Sequence, residues 1–176
     1  MANTYTLISS VTVSSNVASI DFASIPATFT DLKVVYSLRS NLSGGPFYFD
    51  DLAVRLNADT GSNYSRLTFR AREGSMASNK TTPTTFMDLY SLNAANATSN
   101  TFSNGEFYIS NYASSNYKSL SSDGVSEHNT ANDVQLGFAA GLWSSASAVT
   151  SIKLYSQNAS NFVQYSTAYL YGIKNS

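Results

Sequence analysis

The stretch RLNADTGSNYSRLTF, Arg55 to Phe69, sets an acidic, glycine-bearing turn between two runs that alternate apolar and polar residues. Period-two alternation marks a strand with one face buried, because successive side chains point to opposite sides of a sheet. Asp and Asn bond back to nearby backbone and Gly accepts positive φ, so Asp59-Thr60-Gly61-Ser62-Asn63 is expected to be a hairpin connection. A calcium loop would converge about six to eight oxygen ligands, and Asp59 is the single carboxylate of this turn. The stretch is architecture, and its pattern runs through the whole chain.

Outward from it, DLKVVYSLRS places Leu32, Val34, Tyr36 and Leu38 on one face, and DVQLGFAAGLW does the same with Val134, Leu136, Phe138, Ala140 and Leu142. TSIKLYS repeats it with Ile152 and Leu154, and GEFYIS with Phe107 and Ile109. Segments near 4–13, 17–23, 31–40, 47–56, 64–72, 85–91, 102–110, 117–125, 133–143, 148–156 and 165–174 pass this test, giving about ten strands. Clusters such as SGGP, ADTGSN, REGS and SQNAS punctuate them. SLNAANATSN comes nearest to a helix, yet carries Asn and Ser where a helix wants Leu and Ala. SMASNKTTPTT, Ser75 to Thr85, is polar, contains Pro83 and is expected to be a long loop. No linker or repeat divides residues 1–176, so the expectation is one all-β domain, an antiparallel β-sandwich of jelly-roll type.

Composition narrows the function. Charged residues are 12% of the chain and the net charge is −1, which gives no field to attract nucleic acid or an anionic membrane. Aromatics reach 13%, with 12 Tyr and 10 Phe, so the chain is built to fold and to pack. The absence of cysteine removes disulfides, thiolate zinc sites and a thiol nucleophile. MANTYTLISSVTV has no basic-then-apolar leader, and no apolar run approaches the ~20 residues that span a bilayer.

Candidate chemistry is sparse. Asp50 and Asp51 are adjacent, so in a strand they point to opposite faces and cannot clamp one metal. His128, the one histidine, lies in SDGVSEHNT with Asp123 and Glu127 nearby and is expected on an exposed loop. No G-x-S-x-G accompanies it, and a Ser-His-Asp system needs all three groups in hydrogen-bond contact beside an oxyanion hole. No catalytic residue, metal ligand or cofactor is assigned, and the chain is not expected to be an enzyme. Trp143, the one tryptophan, ends an apolar strand, a place that suits a core plug first and an interface anchor or sugar platform after it. Tyr165, Tyr169 and Tyr171 crowd the closing segment, as a contact surface or as caps on the domain's own core. Together these four are the candidate interface, since Tyr and Trp combine broad contact area with a polar tip.

Three blocks carry a resemblance: TYTLISSVTV…SIDFASIPATFTDLKVV at the front, RLNADTGSNYSR in the middle, and GLWSSASAVTSIKLY…NFVQYSTAYLYGI at the end. In this order, over nearly the whole length, they resemble a group of tailed-bacteriophage virion structural proteins of the marine and cyanophage type. The resemblance implies a jelly-roll-like domain on the virion, most simply a capsid decoration or cement protein on the capsid exterior. The implied partners are the major capsid protein or other virion proteins, with copies of the chain assembling as a trimer. Nucleic acid and membrane are not among them. An alternative is a tail or tail-fibre module that recognises host surface glycans, with Tyr64, Tyr112 and Trp143 as contacts. The family brings no catalytic motif.

Overall fold

A computed structural model of the chain describes residues 4–44, 48–89, 92–129 and 134–174. It contains fourteen strands among these residues and no helix. In order they are β1 (Tyr5–Thr12), β2 (Ser19–Phe22), β3 (Asp31–Leu38), β4 (Phe49–Asp50), β5 (Leu52–Leu56), β6 (Tyr64–Arg72) and β7 (Ser75–Thr84). There follow β8 (Met87–Asp88), β9 (Leu92–Asn93), β10 (Ser103–Ile109), β11 (Lys118–Ser126), β12 (Gln135–Trp143), β13 (Ile152–Ser156) and β14 (Thr167–Ile173). The expected strand ends at 47, 90–91 and 133 lie outside the described residues.

Two sheets face one another. One has eight strands in the order β1-β14-β3-β10-β11-β12-β6-β7, the other four in the order β2-β13-β5-β8. Four antiparallel pairs of these two sheets are nested along the chain, β1 with β14, β2 with β13, β3 with β10, and β5 with β8, while β4 and β9, nested among them, pair as a separate two-stranded sheet. Successive members of this set alternate between the sheets, except at the innermost pair, where β5 and β8 share one. A long double ribbon rolled up from its closed end has this connectivity, which is the jelly roll. Two insertions enlarge it. The β6–β7 hairpin leaves between β5 and β8, the β11–β12 hairpin between β10 and β13, and both extend the larger sheet beyond β10.

Inward faces of the rolled strands make the core. Leu32, Val34, Tyr36 and Leu38 of β3 are buried with Ile20 and Phe22 of β2 and with Leu52, Val54 and Leu56 of β5. Phe107 and Ile109, Ile152 and Leu154, and Ala168 and Leu170 complete it from β10, β13 and β14. These are period-two positions of the sequence, and each Val, Leu, Ile or Phe among them stabilises by about 1.5–3 kcal/mol on full burial.

Two local expectations are corrected. Arg55 to Phe69 is not a hairpin: β5 pairs with β13 and β8, β6 with β12 and β7, so the turn carries the chain from one sheet to the other. Asn57 and Ala58 adopt positive φ of 53° there. The Asn57 Oδ1 accepts from Thr150 N at 2.7 Å and Ser151 N at 3.1 Å, tying this corner to the β12–β13 crossover. Ser75 to Thr84 is not a loop but the edge strand β7, reversing from β6 through Glu73-Gly74 at φ 48° and 76°. Both central residues at positive φ make a type I′ turn, whose twist suits a two-residue hairpin. Pro83 falls in the register shift of the β6–β7 ladder, between Thr81 opposite Arg66 and Thr84 opposite Tyr64, where no ladder N–H is needed.

Of SLNAANATSN, the nearest approach to a helix in the sequence, Ser91 lies outside the described residues, Leu92–Asn93 form β9, and the segment after it, residues 94–101, wraps around Arg39. Its guanidinium donates to the carbonyls of Thr98 and Thr101 at 2.8 Å, Ala97 at 2.8 Å and Ala95 at 3.2 Å. Backbone oxygens, more numerous here than any side-chain anion, satisfy a cation whose pKa burial lowers.

Candidate functional site

The two insertions are patterned inside out. On β12 the residues turned inward are Gln135, Gly137, Ala139, Gly141 and Trp143, while Leu136, Phe138, Ala140 and Leu142 face solvent. On β6 the inward set includes Arg66, Arg70 and Arg72, and Leu67 and Phe69 are exposed. Small inward residues allow close approach of the smaller sheet: a Cβ at Gly141 would meet the Met87 sulfur at 2.5 Å. Arg66 forms an ion pair with Asp88 in the space below. Tyr64, Leu120 and Trp143 of these hairpins join the core, but Leu67, Phe69, Met76, Leu136, Phe138 and Leu142 are left outside.

Register assembles them into one field. Phe138 lies opposite Phe69, Ala140 opposite Leu67, Leu142 opposite Ser65 and Leu136 opposite Ala71, which in turn faces Met76 on β7. Leu67, Phe69, Met76, Leu136, Phe138 and Leu142 are 37 to 75% exposed. Soluble monomers seldom leave so continuous an apolar field uncovered. A second field occupies the far end of the same face, where Leu7 lies opposite Tyr171 and Tyr5 meets the Tyr171 ring edge-on at 6.5 Å. Between them runs a charged band, with the Lys33–Glu106 ion pair at 2.7 Å and Asp123 beside Glu106.

The candidate interface residues divide. Tyr165 is 68% exposed, and Tyr169 and Tyr171 are half-buried on the outer face of β14. Trp143 is buried as a core plug and not set at the surface as an interface anchor: it stacks on Tyr64 with ring centroids 6.4 Å apart, and its Nε1 donates to Asp59 Oδ2 at 2.7 Å. Tyr64 and Tyr112, named with Trp143 as glycan contacts, are also interior. The Tyr64 hydroxyl exchanges hydrogen bonds with Leu56 N at 3.1 Å and Leu56 O at 3.2 Å, and the Tyr112 hydroxyl donates to Pro26 O. The core had room for these rings and a polar partner for each tip, so none offers a sugar platform. His128 is buried instead of exposed, stacked on Tyr48 at 5.3 Å.

The expected single strand through 47–56 breaks at Asp51, which lies between β4 and β5, and its N–H donates to Asp50 Oδ1 at 2.8 Å. Asp50 turns inward and accepts from Ser156 Oγ at 2.7 Å, Asn158 Nδ2 at 2.8 Å and Ser160 Oγ at 2.6 Å. Asp51 faces a groove of about 460 Å³ lined by Phe49, Arg70, Arg72, Asn96 and Asn158. Burial, then the charge of Asp50, pushes the Asp51 carboxyl up to about 6 against the pull of Arg70 and Arg66. Arg72 lies over the Phe49 ring at 4.7 Å. Among the described residues no three His, Asp or Glu side chains come together as a metal site.

What the sequence missed is the outer field. Its alternation was visible in DVQLGFAAGLW, but one feature separates it from a core strand: the intervening positions, Gln135, Gly137, Ala139 and Gly141, are small or polar. Set against protein-family models, curated proteins and solved structures, the chain matches none.

Proposed function

We propose that this chain is a virion structural protein of a tailed phage, a capsid decoration subunit that holds coat neighbours and its own copies by surface contact. The observation that carries the reading is the pair of exposed apolar fields on the outer face of the eight-stranded sheet. The three sequence blocks described above supply the virion context. The inserted field exposes on the order of 400 Å² of apolar surface. Covering it is worth about 10 kcal/mol gross per partner at roughly 25 cal/mol per Å², set against an association cost of about 4–15 kcal/mol.

The test is location. Cryo-electron microscopy of particles should place the chain on the shell, at a copy number matching the shell lattice. Particles stripped of it should lose their contents at lower temperature, and added protein should restore them. Density confined to the tail would replace this reading with receptor binding. The groove at Asp51, with its amides, arginines and Phe49 floor, is the feature that favours that second reading. A glycan array probed with wild type and Asn158→Ala would decide it.

A further inference from the structure

We infer that the inserted apolar field is covered by a second copy of this chain, related by a two-fold axis that runs along the strands between β12 and β6. The inference rests on this face being a contact surface and not on the virion setting.

The reason for choosing a second copy is that the field complements itself in charge. Its two flanks carry opposite signs: Asp123 on β11, exposed beside Phe138, and Lys80 on β7, exposed beside Leu67. The flanks are three strand spacings apart, about 14 Å, too far to pair within one chain. A two-fold axis parallel to the strands and midway between β12 and β6 exchanges the flanks. It sets β7 of each copy over β11 of the other, and β12 over β6. Lys80 stands level with Ser121, two residues from Asp123. That step of about 7 Å is within reach of a lysine stem. Each pair forms twice, and Phe69 and Phe138 of both copies meet at the centre. Such a contact is isologous, the commonest form of homo-oligomer interface.

Size and charge agree. Four strands of about nine residues give a footprint of roughly 19 by 30 Å, about 570 Å² in projection, close to the lower end, about 600 Å² per partner, of specific interfaces. A net charge of −1 per copy adds little repulsion. Two such faces would pack about 10 Å apart, as the sheets of a sandwich do.

Sedimentation velocity on the purified full chain tests this, with circular dichroism and Trp143 fluorescence verifying the fold of each variant. The wild type is expected to be a dimer at micromolar concentration. Phe138→Asp should be monomeric. Lys80→Glu and Asp123→Lys should each weaken dimerisation about tenfold, and both changes in one chain should restore it to within about threefold. A monomeric wild type, a trimer, or a double variant no better than the singles overturns the inference. So does a dimer that persists in Phe138→Asp, as edge pairing through β7 would. A chain that is monomeric alone yet binds particles leaves the functional reading standing while removing this one.

Discussion

Asp51 and Asp59 are both acids of the β4–β6 region, and their environments push them in opposite directions. Asp51 titrates near 6 when folded, above the ordinary unfolded value of about 3.9. The folded chain therefore keeps a proton that the unfolded chain releases. That contribution to stability is complete below about pH 4 and is lost as pH rises through 6. Asp51→Asn should be more stable than wild type at pH 8, by up to about 3 kcal/mol at ~1.4 per unit, with the gap closing by pH 4; urea melts across pH check it. Asp59 is held below its usual range by the Trp143 indole, then Asn63. Its contribution is present at neutral pH and disappears as pH falls through its folded value. Asp59→Ala should cost about 1 kcal/mol at pH 7, discounted for its solvent-facing side, and should shift the emission of the lone tryptophan. The sequence shows the local neighbours, Asp50 beside Asp51 and Asn63 near Asp59, but not the burial of Asp51, the arginines that β6 brings to it or the Trp143 that β12 brings to Asp59.

The strand β7 shows how a polar element can be ordered by a neighbour. Ser75 to Thr84 buries little, and its alternation is too weak to announce a strand. Its place is set by the Glu73-Gly74 turn and by a ladder running from Arg72 opposite Ser75 to Tyr64 opposite Thr84. Gly74 sits at φ 76°, where a β-branched residue is strained. Gly74→Val should destabilise by about 1–2 kcal/mol and raise amide exchange in β7 more than in β3. The same limit applies to Arg55 to Phe69. Local pattern identified two strands and a turn correctly, but pairing is a non-local choice, made by β13 for β5 and by β12 for β6.

For the whole molecule, sparse charge and exposed apolar fields set the character of association. Screening acts over about 10 Å at 0.1 M salt and less as salt rises, so a contact made mainly by Phe69, Phe138, Leu67 and Leu136 should persist. Raising sodium chloride from about 0.1 to 1 M should change the self-association constant by less than roughly fivefold, the residual dependence arising from Lys80 and Asp123. Sedimentation equilibrium across that range is the measurement; a collapse of association in high salt would assign the contact to charge instead.

The residues alone determined that this chain is all-β, cysteine-free, nearly neutral and folded around period-two apolar faces, since each of those follows from composition or from neighbours two positions away. Only the tertiary structure decided which face of each strand meets the core. Leu136, Phe138 and Leu142 share a side in the sequence as clearly as Leu32, Val34 and Tyr36 do, yet the former face water and the latter the interior. The physical reason is that β12 lies beyond β10, where glycines, Met87 and an Arg66–Asp88 pair fill the space under the smaller sheet, and large rings enter only at the Tyr64–Trp143 end of the ladder. Period two fixes that two faces exist; the layer packed against them selects between the two.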